Sequence, residues 1–147
     1  MRQIETDLPP QMDSKTRALR TNRLKPEREM REASLFCFGI EQKLGVTVEF
    51  SLVEDQDFDF VARVKTDDTE HYLEVQIKEV VPEELNHAAS VQDIVDRLVK
   101  YRVSPGLIVA IHLNRVTRFD PAALAVPPDL KIGELWVFGA ISKDQSQ

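Results

Sequence analysis

Cysteine is almost absent from this 147-residue chain: Cys37 stands alone, which excludes an internal disulfide framework and a cysteine-based zinc centre. Such usage suits a reducing cytoplasm. Glycine is scarce as well, and the five glycines nowhere form GxGxxG or a Walker loop, so nucleoside-triphosphate chemistry and dinucleotide binding have no cradle. No GxSxG nucleophile elbow is present. No apolar run approaches the ~20 residues of a membrane span, and the N-terminus lacks the apolar centre of a secretory leader. The expectation is a soluble cytoplasmic protein with no membrane partner. His71, His87 and His112 are too scattered along the chain to suggest a metal triad, and His112, inside an apolar run, reads as a satisfied core residue.

What is present fits one ordinary domain with a tail. The net charge of −6 is unevenly spread, because Ser14–Lys25 holds five basic residues and no acidic one. Residues 1–24, which include Pro9-Pro10, read as a basic, poorly ordered arm, and 25–147 as a single domain. Arg17, Arg20, Arg23 and Lys25 are the candidate phosphate contacts. A solvated terminus explains them equally well.

The apolar pattern gives the element order. Pro26 suits a first helical position, Glu27 and Glu29 suit the positive end of the helix dipole, and Gly45 suits the stop, so a helix is expected over Pro26–Leu44. Its stripe reads Met30, Ala33, Cys37, Ile40 and Leu44, with Leu35 and Phe38 on the other side. Cys37 lies in the stripe and has the place of a small buried apolar residue, with no histidine nearby to act as base. A strand follows at Val46–Val53. Ser90 and Asp93 suggest a capping-box start to a second helix ending near Arg102. Leu107–Leu113 is nearly all apolar and reads as a strand buried on both faces. Leu135–Phe138 is a last strand. Strand, helix and buried strand in succession imply a crossover between parallel strands, hence an α/β fold with a mixed β-sheet and flanking helices.

Two stretches carry the chemistry. Asp57-Phe58-Asp59-Phe60 and Glu74-Val75-Gln76-Ile77-Lys78 alternate polar with large apolar residues at the strand period, around the turn-like Thr66-Asp67-Asp68-Thr69. Folding about that turn pairs Phe58 with Ile77, Phe60 with Val75 and Ala62 with Leu73 on an apolar face. On the other, Asp59 meets Gln76 and Asp57 meets Lys78. A slip of one residue would mix the faces, so the pattern itself argues for this register. The plain alternative is a wetted sheet face with a surface ion pair of small value.

The order helix, three antiparallel strands, helix, strand, with Asp59-Phe60-Val61-Ala62 and Val75-Gln76-Ile77-Lys78 in the second and third strands, resembles the PD-(D/E)XK nuclease superfamily. The first segment is similar to Holliday-junction resolvases and the second to Mrr-like restriction endonucleases, over about Pro26–Leu113. The resemblance implies a restriction-endonuclease-like αβββαβ core and metal-dependent phosphodiester hydrolysis of nucleic acid, with DNA expected. Mg2+ or Mn2+ would be held by Asp59, the Ile77 carbonyl, the Gln76 side-chain oxygen standing where an acid is more usual, and a helix glutamate. Lys78 would assist the attacking water. Glu32 is the glutamate that the family's helix suggests, although the helical wheel sets it off the stripe and brings Glu29 and Glu41 closer; Glu41 is the reserve. Asp57 or Glu74 could compensate for the missing acid. The resemblance also implies a homodimer, since two cuts need two sites. The alternative is a catalytically inactive module that kept the fold to bind protein or nucleic acid, as the acidic body favours.

Overall fold

The computed structural model describes residues 24–53, 55, 57–101 and 103–140. The expected basic arm, with Arg17, Arg20 and Arg23, lies outside them. Helix α1 (Lys25–Leu44) has Pro26 in its first turn and Glu27 and Lys43 at the dipole ends they complement. It stops at Gly45, whose φ of 66° lets its N–H reach the Glu41 carbonyl at 2.9 Å. Strands β1 (Thr47–Leu52), β2 (Phe60–Lys65) and β3 (Glu70–Val80) form an antiparallel meander. Helix α2 (Val91–Asp96) and a 3-10 turn (Arg97–Tyr101) then lead to β4 (Val103–Leu113), parallel to β3. Strand β5 (Lys131–Phe138) adds parallel to β4, completing a five-stranded mixed sheet in the order β1-β2-β3-β4-β5.

Each sheet face has its own core. Ala33, Phe36, Cys37 and Ile40 of α1 pack on Phe60, Ala62, Val75, Ile108 and Ala110. Phe36 is the hub, meeting Phe60, Trp136 and Phe138 edge to face at 6.3, 6.2 and 5.4 Å. On the opposite face Val91, Val95, Leu98 and Tyr101 cover Val80, Leu107, Val109 and Ile111. From Leu107 to His112 β4 is buried at every position, as its unbroken apolar run requires when both faces are covered.

The Phe60–Val75 and Ala62–Leu73 pairs hold as the alternation requires. Beyond Phe60 the register is different. The chain bends at Asp57 and Asp59, so the ladder stops there. Phe58 therefore joins the α2-side core instead of pairing with Ile77 beside Phe60. Asp57 is exposed and donates its N–H to Asp55 Oδ1 at 2.9 Å, outside the ladder that would have set it opposite Lys78.

The helix stripe is also rotated from the expected one. Met30 and Leu44 are exposed, whereas Glu32 is buried with Ala33, Phe36, Cys37 and Ile40. Phe38 remains 58% exposed. Two other boundaries move. The second helix is α-helical only to Asp96, after a capping box between Ser90 and Asp93. Strand β5 begins four residues before Leu135, and its register with β4 shifts between Ser104 and Ile108. Pro105 lies in that irregularity and has no N–H to give the ladder. Gly133 fits against it because a Cβ there would stand 2.9 Å from the Pro105 carbonyl oxygen.

Candidate functional site

A polar cleft of about 240 Å³ opens where the first turns of α1 cross the point at which β2 parts from β3. Lys25, Arg28, Glu29 and Glu32 line it from the helix, and Asp59, Gln76, Ile77, Lys78 and Glu79 from the strands. Helical spacing explains the first set, since residues three and four apart share a face. Strand divergence explains the second. With the ladder ended at Phe60, the Ile77 N–H has its bond from a side chain, Asp59 Oδ2, at 2.6 Å.

Asp59 is fastened to β3 by two further bonds. Its own N–H donates to the Val75 carbonyl at 2.9 Å, and its Oδ2 also accepts from Gln76 Nε2. Burial pushes its carboxyl above the ordinary range, against the opposing pull of the Ile77 N–H and the Lys78 ammonium; the Glu29 charge adds to the rise. A half-buried carboxylate whose charged form is disfavoured is the kind of group that a cation would relieve.

Gln76 is buried and bridges two elements. Its Nε2 faces Asp59, and its Oε1 accepts the Tyr101 hydroxyl at 2.9 Å. The nitrogen therefore points toward the cleft carboxylate and the oxygen toward the α2 side. Lys78 stands with its Nζ 5.8 Å from the Tyr101 ring centre. Lys25, at the exposed start of α1, pairs with Glu29 at 3.2 Å.

Glu32 lies at the inner wall of the cleft, 5% exposed, with Oε1 3.3 Å from Nδ1 of His112, which is itself 3% exposed. His112 and Glu79 are neighbours in the β3–β4 register, and one ligand atom from each of Glu32, Glu79 and His112 falls within 4.8 Å of the others. Glu79 Oε1 in turn accepts from Asn114 Nδ2 at 2.8 Å.

The structure thus brings Asp59, Gln76, Ile77, Lys78 and Glu32 to one cleft, with Lys25 at its rim. Glu29 is there too. Glu41 is not among the residues lining it: its Oε1 instead accepts the Val48 N–H at 2.8 Å and anchors the start of β1. Glu74 is exposed on β3 and is likewise not among them. Arg28, Glu79, Tyr101 and His112 were not singled out as site residues by the sequence reading. Arg28 has a recognisable signal, one helical turn before Glu32. Glu79 and His112 have another, because each interrupts the apolar face of its strand.

The chain matches no protein-family model, no curated protein and no solved structure. Among the described residues no helix is long and apolar enough to cross a membrane.

Proposed function

We propose that the chain is a divalent-metal-dependent nuclease with a restriction-endonuclease-like αβββαβ core, hydrolysing the phosphodiester bonds of nucleic acid, with DNA as the expected substrate. The observation that carries this reading is the meeting of Asp59, Gln76, Ile77, Lys78 and Glu32 in one cleft, from α1, β3 and the bend before β2. A wetted sheet face gives no reason for a buried glutamate to approach from the helix above it.

The donor set suits a hard cation such as Mg2+ or Mn2+, which prefers oxygen ligands. Asp59, Glu32 and the Ile77 carbonyl would hold it, and Gln76 could contribute its oxygen after its amide turns over. That turn gives up the Nε2 bonds to Asp59 Oδ2 and the Ile77 carbonyl, which the cation would have to replace, while the Tyr101 hydroxyl can accept from the turned amide instead of donating. When bound, the ion supplies Lewis acidity toward the phosphate and a more acidic water. The chain's own groups do the rest. Lys78 offsets charge building on the scissile phosphate. Lys25 and Arg28 sit at the positive end of α1, where backbone N–H groups also favour an anion, and they would hold the adjoining phosphate. A homodimer would present two such clefts for two strands.

One observation favours a second reading. Gln76 offers a nitrogen rather than an oxygen toward Asp59, which suits an inactive module binding protein or nucleic acid.

Purified protein incubated with plasmid, linear, branched and single-stranded DNA, and with RNA, in Mg2+ or Mn2+ separates the two. Asp59→Ala and Lys78→Ala are each expected to lower cleavage by roughly 10²–10⁴. Absence of cleavage on every substrate would move the assignment to the module.

A further inference from the structure

We propose that Glu32, Glu79 and His112 form a divalent transition-metal site in their own right, with an imidazole nitrogen and carboxylate oxygens as donors and Mn2+ as the expected class of ion.

Three polar side chains converge at positions where the pattern calls for apolar ones. Glu32 occupies the buried stripe of α1 beside Ala33 and Phe36. Glu79 follows Val75 and Ile77 on the α1-facing side of β3, and His112 follows Ile108 and Ala110 on the same side of β4. Burying a carboxylate in such a place is costly unless a cation compensates. Two carboxylates meet here with one histidine.

The spacing suits an ion. Donors about 2.1 Å from one octahedral cation stand ~3 Å apart along an edge. His112 Nδ1 and Glu32 Oε1 are 3.3 Å apart, longer than the ~2.7–2.9 Å of a tight charge-assisted bond, and one ligand atom from each of the three residues lies within 4.8 Å of the others. The surroundings fix the donors. His112 stacks on Phe138, with ring centres 4.9 Å apart and planes 13° from parallel. Asn114 holds Glu79 through Oε1, the kind of outer partner that orients a metal ligand. An imidazole donor favours first-row transition metals over Mg2+. Glu79 and Glu32 also line the cleft, which provides the route in.

This site does not require the chain to be a nuclease. Glu32 is the residue it shares with the proposed catalytic centre, so the test leaves Glu32 unchanged. Chelator-treated full-length protein is titrated with MnCl2, free ion is read from the EPR signal of hydrated Mn2+, and pulsed EPR reports nitrogen bound to the ion. The expected result is a nitrogen coupling from a bound imidazole, with Mn2+ affinity falling roughly tenfold or more in His112→Gln and in Glu79→Gln. Asp59→Asn is expected to keep the nitrogen coupling. His71 and His87 are exposed, so loss of the coupling in His112→Gln assigns the nitrogen. Should His112→Gln not fold, Glu79→Gln carries the affinity test, since its half-buried amide keeps the hydrogen-bonding oxygen.

No Mn2+ binding, binding without nitrogen coupling, or unchanged affinity in Glu79→Gln would each overturn the proposal. Cleavage that needs Asp59 and Lys78 but shows no nitrogen coupling would leave the nuclease reading standing alone. Nitrogen-coupled Mn2+ with no cleavage would do the reverse.

Discussion

The two ends of α1 carry similar residue types and do opposite work. At its start Lys25, Arg28, Glu29 and Glu32 face a polar cleft. Toward its end Phe36, Cys37 and Ile40 close the core, while Glu41 accepts the Val48 N–H and fixes the entry to β1. What decides the role is the partner beneath the helix. The early turns lie over Glu79, His112 and the parting of β2 from β3, where backbone and side-chain polar groups are unavoidable. The later turns lie over Phe60, Ala62 and Val75, where none is needed. A glutamate in the first place can serve a ligand, and one in the second serves a strand.

The sharpest way to break that contrast is to remove the packing half. Phe36→Ala deletes the ring that Phe60, Trp136 and Phe138 all meet, and is expected to cost about 3–5 kcal/mol, read as a lower midpoint in urea with an unchanged slope. A loss below 1 kcal/mol would mean that the helix is not anchored there. The next test compares the two glutamates directly. Glu32→Gln is expected to lower cleavage by roughly a hundredfold, about 2.7 kcal/mol in the barrier. Glu41→Gln keeps an oxygen for the Val48 N–H and should leave both cleavage and the melting temperature near wild type. Equal losses from the two substitutions would erase the functional distinction between the ends of α1.

The sequence carried much of this, unevenly. The hairpin register was legible because Phe60 and Ala62 needed apolar partners and have them in Val75 and Leu73, and the crossover to β4 was legible because Leu107–Ile111 could only be buried on both faces. Asp59 and Gln76 were legible as neighbours for the same reason. The change of face at Phe58 was not: a bend in the backbone breaks the two-residue period, and nothing in the alternation marks where that happens. Nor was the rotation of α1. Met30 and Leu44 fit the stripe by spacing, yet both are exposed, and the buried positions of α1 run only from Glu32 to Ile40. Of the polar interruptions, His112 was visible in its apolar run, Glu32 was placed off the stripe by the helical wheel and Glu79 was not singled out, and it is the β3–β4 register that joins Glu79 to His112. Cys37 sits as its stripe position implies, and burial, with the Glu41 charge nearby, pushes its thiol up to about 12.

The smallest expected effect tests whether the cleft holds stored electrostatic strain. Asp59 has a folded-state pKa raised above its ordinary 3.8, chiefly by burial. A raised acid favours the folded state while it is protonated, and that advantage fades as pH climbs through the folded value, leaving the charged form as a burden at neutrality. Asparagine resembles the protonated acid and can still accept the Ile77 N–H. In chelator-treated protein Asp59→Asn should therefore melt about 2 °C higher than wild type at pH 7, with the gap closing as the pH falls through the raised folded value toward 3.8. Added Mn2+ should narrow the gap at pH 7 as well, by stabilising the protein that kept its carboxylate more than the one that lost it. A lower melting point for the variant at pH 7 without metal would mean that the bonds from Ile77 and Gln76 outweigh desolvation. Asp59 would then be a structural clamp, and the contrast between a packing end and a chemical end of α1 would rest on Glu32 alone.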